Sequence, residues 1–183
     1  MAFTILLLEK IHEVAEAQLK EAGFTVRRVN AALKEDELIK ELAGVNVLGI
    51  RSKTNVSKKV LESPQAKDLM AIGAFCIGTN QIALADAMRQ GVCVFNAPFS
   101  NTRSVAELVI AEIVMLSRQL GDRDMEMHQG IWKKLATGAH EVRGKTIGIV
   151  AYGQSGSDVG VLSVFFGMRS LWFGVARTLP LTI

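Results

Sequence analysis

The sequence predicts an α/β fold in two parts, each built on a mainly parallel sheet. Three observations carry that expectation. Strand-length apolar runs alternate with helix-period segments from the first residues onward. Five such repeats fit in about the first 100 residues, which makes the first part a flavodoxin-like domain. The run from Gly144 to Gly156 then reads as an apolar strand, a glycine turn and a helix start, the opening of a Rossmann dinucleotide-binding domain left incomplete at Ile183.

The elements follow in order. Thr4 to Leu8 is an apolar strand. His12 to Ala22 carries Val14, Leu19 and Ala22 at helical spacing, with Gly23 in the stop position, and Phe24 to Val29 reads as the second strand. Lys34 to Ala43 is a helix with a charged face, closed by Gly44, and Val45 to Ile50 is the third strand. A short helix is expected over Ser57 to Leu61, a strand over Leu69 to Ile72, a loop over Gly73 to Gln81, a helix over Leu84 to Gln90 and a strand over Val92 to Phe95. Ser104 with Glu107 three residues on has capping-box spacing and opens a long helix to Leu120. Gly121 to Gly144 reads as a connection to the strand Thr146 to Val150. Val159 to Val175 reads as a buried helix and then a strand, since Arg169 and three glycines interrupt it and it is shorter than the ~20 residues a membrane span needs.

Bulk properties exclude several functions. A net charge of +3 and a pI near 9.0, with Lys and Arg scattered, argue against a nucleic-acid or membrane-surface partner. Cys76 and Cys93 have neither metal-ligand spacing nor a Cys-x-x-Cys pair, so buried, reduced thiols are expected, with no disulfide and no metal site. His12, His128 and His140 lack ligand spacing and read as structural or surface groups. No signal-type segment opens the chain, which points to the cytoplasm.

Open α/β sheets bind ligands at the C-terminal ends of their strands. Three polar loops lie there: Arg51-Ser52-Lys53-Thr54, Cys76 to Asn80, and Asn96 to Ser104. Guanidinium forks with loop hydroxyls and amides suit a small anionic substrate. The alternative is that Thr54, Asn80 and Ser104 cap turns and helices while Arg51 and Arg103 are solvated. In the glycine motif Ala151 stands where the fingerprint has its first glycine, while Gly153 and Gly156 keep the close approach to pyrophosphate and the close helix packing. The next strand, ending at Gly174-Val175, has no acidic residue to hold a ribose hydroxyl. Loss of such a charged hydrogen bond costs roughly 1.5 to 3 kcal/mol.

The segments Ile50-Arg-Ser-Lys-Thr54, Ile72 to Gln81, Gly91 to Glu107, Gly130-Ile-Trp132 and Arg143-Gly-Lys145 resemble one family in detail. It is the bacterial-type phosphoglycerate dehydrogenase branch of the D-isomer-specific 2-hydroxyacid dehydrogenases. The resemblance implies a substrate-binding domain over about residues 1–102 and the start of an NAD-binding domain over 103–183. It implies NAD as cofactor, and oxidation of 3-phosphoglycerate to 3-phosphohydroxypyruvate on the route to serine. Arg51 and Ser52 would hold the substrate's anionic groups, with Ser100 and Asn101 lining the same cleft. Gln154 and Ser155 would sit at the tip of the phosphate loop between Gly153 and Gly156, and Ile77 beside the nicotinamide. The family's catalytic arginine, glutamate and histidine fall beyond Ile183, so no residue here takes those roles. The parent enzyme is expected to be a homo-oligomer, and this chain alone to have no turnover. The competing class is a non-catalytic ligand-binding or subunit-assembly module. Arg177 is the one hint of NADP in place of NAD.

Overall fold

The computed structural model describes residues 3–174, and Arg177 lies outside them. The chain divides into two compact units, Met1–Ser100 and Asn101–Ile183.

The first unit alternates β1 (Thr4–Leu8), α1 (Glu13–Glu21), β2 (Thr25–Val29), α2 (Glu35–Glu41), β3 (Val47–Ile50), α3 (Lys58–Leu61), β4 (Ala71–Ala74), α4 (Leu84–Arg89) and β5 (Cys93–Asn96). Its sheet has the order β2-β1-β3-β4-β5 with every neighbouring pair parallel, which is the flavodoxin-like order. β1 shows why the apolar run forms a strand here. Leu6 and Leu8 face one way and join Leu38, Leu42, Leu48 and Val60, while Ile5 and Leu7 face the other way and join Ile11, Ala15 and Leu19. A strand buried on both faces reads as a continuous hydrophobic run.

Boundaries moved where a helix or turn claimed a residue first. The Val45 amide donates to Leu42 O at 3.0 Å, closing the α2 turn, so β3 starts at Val47. The Leu69 amide donates to Ala66 O at 3.0 Å, so β4 starts at Ala71 and its pairing with β3 runs through Gly73 and Ala74. Cys93 is exposed and Cys76 half-buried, which corrects the expectation of two buried thiols; Cys93 sits on β5, an edge strand of this sheet.

The second unit contains α5 (Thr102–Ser117), α6 (Leu120–His128), β6 (Thr146–Val150), α7 (Gln154–Phe165) and β7 (Arg169–Phe173), with β6 and β7 parallel. Ala106 and Ile110 of α5 pack with Ile149, Val159 and Met168. The capping box at Ser104 does not form. α5 begins two residues earlier, at Thr102, and the Glu107 carboxylate takes the Arg103 guanidinium at 2.6 Å instead. The helix also stops before Leu120, at a left-handed Gln119 with φ 56°, and α6 occupies part of what the sequence presents as a connection. Gly121 and the mixed charges hide that helix, although Arg123 and Lys133 both pair with Glu126, at 3.2 and 2.5 Å.

Val159 to Phe173 does run helix then strand, but its burial is the reverse of expectation for most side chains. Phe165 is 83% exposed, because the helix buries only the side that carries Val159, Gly160 and Ser163, and Phe173 at the end of β7 is 72% exposed. No helix of the described residues is long and apolar enough to cross a membrane.

Candidate functional site

In the order β2-β1-β3 the chain reverses its lateral direction between β1 and β3, and loops leaving that point on opposite faces open a crevice. A cavity of about 510 Å³ lies there, lined by Glu9 and Lys10 after β1, Asn30 after β2, and Arg51, Ser52 and Lys53 after β3. Three of these side chains are cations. Among the described residues none of Lys10, Arg51 and Lys53 has an ion pair or hydrogen bond from its side-chain nitrogens. Unpaired cations converging on one concave surface will attract an anion.

Glu9 is the group the sequence reading missed. It is buried, and its carboxylate receives three backbone amides, from Arg51 at 3.1 Å, Lys53 at 3.0 Å and Thr54 at 2.9 Å. Burial alone would raise its pKa. The fully buried Thr54 hydroxyl and the three amides outweigh that, and hold the carboxyl below its ordinary value. Glu9 and Lys10 have φ of 58° and 53°, two successive left-handed residues without a glycine. That geometry persists because the Glu9 amide donates to Ala31 O and the Glu9 side chain is tied into the next loop. The signal available in the sequence was a lone acid directly after an apolar strand, opposite a cationic loop.

A second side chain grips the same loop from the other side. Gln81 is buried, and its Nε2 donates to Arg51 O at 2.9 Å and to Gly78 O at 3.2 Å. Asn96 Nδ2 in turn donates to Ile77 O at 2.8 Å. The three polar strand-end loops are therefore stitched together by buried or backbone-directed bonds. Arg51 and Ser52 line the cavity. Ser100 does not; it lies in the loop after β5 with its hydroxyl on Ala97 O at 3.2 Å. Ile77 is also outside the lining, and Asn101 opens the second unit as the N-cap of α5.

In the second unit the glycine loop joins β6 to α7. Gly153 is the N-cap of α7, and Gln154, Ser155 and Gly156 form its first turn, where helical amides lack intrahelical partners. A Cβ on Gly156 would lie 2.8 Å from Ala151 O and 3.2 Å from Ile149 Cγ2, so only glycine lets helix and strand approach this closely. A Cβ on Gly153 would meet nothing within 4 Å, so the approach to the loop is open. Ala151 has φ 69°, the left-handed conformation that glycine adopts without strain. Gly174, just past β7, has ordinary van der Waals room for a side chain, its nearest neighbour being the Tyr152 amide at 3.6 Å.

The histidines stay outside both loops. His12 caps α1 through its Nδ1, and His128 contacts the carbonyl of Asp124 on its own helix. Among the described residues no cluster of His, Cys, Asp or Glu could hold a metal ion.

Residues 5–173 match the family described as D-isomer specific 2-hydroxyacid dehydrogenase, catalytic domain. The chain is 53% identical over 177 residues to a D-3-phosphoglycerate dehydrogenase of Dictyostelium discoideum, covering 97% of this chain and 43% of that protein. Similar matches are D-3-phosphoglycerate dehydrogenase 1 of Saccharomyces cerevisiae, 49% identical over 97% of this chain and 37% of the relative, and the Escherichia coli enzyme, 43% identical over 96% and 43%. The chain thus spans about two fifths of the length of these relatives. Among solved structures, a Thermus thermophilus protein superposes with a TM-score of 0.86 at 25% identity, covering 97% of this chain and 58% of that one. An NAD-dependent formate dehydrogenase of Staphylococcus aureus, solved with NAD, shares the fold with a TM-score of 0.77 at 21% identity, over 96% and 57% of the two chains.

Proposed function

The chain belongs to the D-isomer specific 2-hydroxyacid dehydrogenase family, and from that premise we propose that it serves NAD-dependent oxidation of 3-phosphoglycerate to 3-phosphohydroxypyruvate. The observation that carries the substrate half is the cavity at the β1/β3 crevice, where Lys10, Arg51 and Lys53 converge with no partner for their side-chain nitrogens among the described residues. A substrate bearing both a phosphate and a carboxylate supplies the charge these three cations lack. Arg51 and Ser52 take its anionic groups, the guanidinium as a planar fork and the hydroxyl as a neutral donor.

Gly153 to Gly156 supports the cofactor half. The cradle fits a pyrophosphate in two respects, the open approach at Gly153 and the close packing at Gly156, with the amides of Gln154, Ser155 and Gly156 as donors. It does not offer the acidic partner of a ribose hydroxyl, since Gly174 stands at that position. NAD, when bound, supplies the hydride acceptor for the hydrogen on C2. The proton of the C2 hydroxyl needs a base, and Glu9 is unsuited to that work because three amides already occupy its carboxylate. The 183-residue chain alone is therefore expected to bind substrate without turning it over.

Calorimetry tests the reading. 3-Phosphoglycerate titrated into the chain should bind, and D-lactate, a 2-hydroxy acid without the phosphate, should not. Equal binding of the two, or none of either, would reject the phosphoglycerate assignment. The cofactor half has its own check. Gly174→Asp should tighten NAD by about tenfold or more, the worth of one charged hydrogen bond. The side chain has room there, so an unchanged NAD affinity in a normally folded variant would show that this strand end does not face the ribose.

A further inference from the structure

The cavity holds a contradiction. A site that collects three cations for an anion also contains a buried carboxylate, Glu9, which by simple Coulomb repulsion weakens the binding of that anion. Nothing in the chemistry of anion capture requires it. Its hydrogen bonds do explain it. Oε1 receives the amides of Arg51 and Thr54, and Oε2 the amide of Lys53, so one side chain gathers the N–H groups of the loop that carries the cations. From the opposite side Gln81 Nε2 takes the carbonyl of Arg51.

We propose that Glu9 is a positioning residue for substrate binding: it fixes the backbone of Arg51 to Thr54 so that Arg51 and Ser52 face the cavity, and the substrate is held by the loop it shapes. The proposal rests on the substrate reading given above and deepens it. The strained backbone at Glu9 and Lys10 is consistent with such a task. Two left-handed residues in succession are tolerated where they turn a carboxylate back into the fold and leave the next side chain, Lys10, lining the cavity.

Electrostatics and positioning predict opposite signs, which makes the proposal testable. Removing the negative charge should tighten anion binding if Glu9 acts only through its field. It should weaken binding if Glu9 holds the loop. In Glu9→Gln one acceptor oxygen survives and an NH2 group is set against a backbone N–H, so the loop loses at least one bond. The expected result is about tenfold weaker binding of 3-phosphoglycerate and of sulfate by calorimetry on the 183-residue chain. A second measurement needs no substitution. In an acid titration of the unsubstituted chain followed by NMR, the amides of Arg51, Lys53 and Thr54 should move together as Glu9 protonates, and sulfate affinity should fall in step. The other charged groups on this cavity are Lys10, Arg51 and Lys53, all cations.

Unchanged or tighter anion binding by Glu9→Gln, or three amides that titrate independently, would overturn the proposal. If Glu9→Gln does not fold, the acid titration decides alone. If the unsubstituted chain binds sulfate but not 3-phosphoglycerate, the substrate assignment falls, and Glu9 is judged on sulfate. If it binds neither, both fall.

Discussion

Arg51→Ala should weaken 3-phosphoglycerate binding by about ten- to a hundredfold, the worth of roughly 1.5 to 3 kcal/mol for a charged hydrogen bond. The fold should hardly notice. Arg51 is exposed and its side chain makes no ion pair or hydrogen bond within the described residues, and substitutions of that kind usually stay within about 0.5 kcal/mol. The loop's shape depends on its backbone, held by Glu9 and Gln81, and that survives truncation of the side chain. Arg51→Lys should fall between the two, because an ammonium keeps the charge and loses the fork. Raising the salt should weaken the unsubstituted chain more than the alanine variant, since an exposed cation is screened. Calorimetry at two ionic strengths reads all of this. An affinity unchanged by Arg51→Ala would remove the residue from the site.

Leu48→Ala should cost about 2 to 5 kcal/mol of stability, the usual range for a leucine removed from a packed core. Leu48 is fully buried in β3, with β1 on one side and β4 on the other, and it pairs in register with Leu6 and Ile72, both also fully buried. The void would be lined by the strand neighbours Leu6 and Ile72 and by the core that α2 and α3 contribute, so little of it can collapse without moving those elements. A loss of this size is a large share of the roughly 5 to 15 kcal/mol that stabilises a typical domain. Leu116→Ala is the matched control: the side chain is 73% exposed, and its loss should be nearly silent. Urea unfolding of both variants gives the comparison. A Leu48 variant as stable as the Leu116 variant would mean that the β3 core is not packed as described.

The first unit was legible because its strands are buried on both faces. Runs such as Leu6-Leu7-Leu8 announce themselves without any alternation, and glycines such as Gly23, Gly44 and Gly91 mark the helix ends. What escaped was decided by competition between neighbours. Ser104 and Glu107 have the spacing of a capping box, but Arg103 lies four residues before Glu107 and takes its carboxylate. Met125, Met127 and Glu126 favour helix, yet Gly121 among mixed charges makes the segment read as a connection. At the site, Arg51 and Ser52 are readable from their residue types in a strand-end loop. Glu9 is not, because its partners are backbone amides that lie 42 to 45 residues away and leave no pattern in side-chain spacing. The family resemblance places Ile77 and Ser100 beside a ligand, and neither lines the cavity between the β1 and β3 loops.

The grip of Glu9 and Gln81 on Arg51 also bears on the thermodynamics of capture. Freezing a residue's backbone costs roughly 1 to 2 kcal/mol, so a loose four-residue loop that ordered only around its ligand would surrender several kcal/mol of affinity. Here the amides of Arg51, Lys53 and Thr54 and the carbonyl of Arg51 are already bonded. That entropy is lost once, as the chain folds, and each anion that arrives meets a loop with nothing left to order but the tips of its side chains.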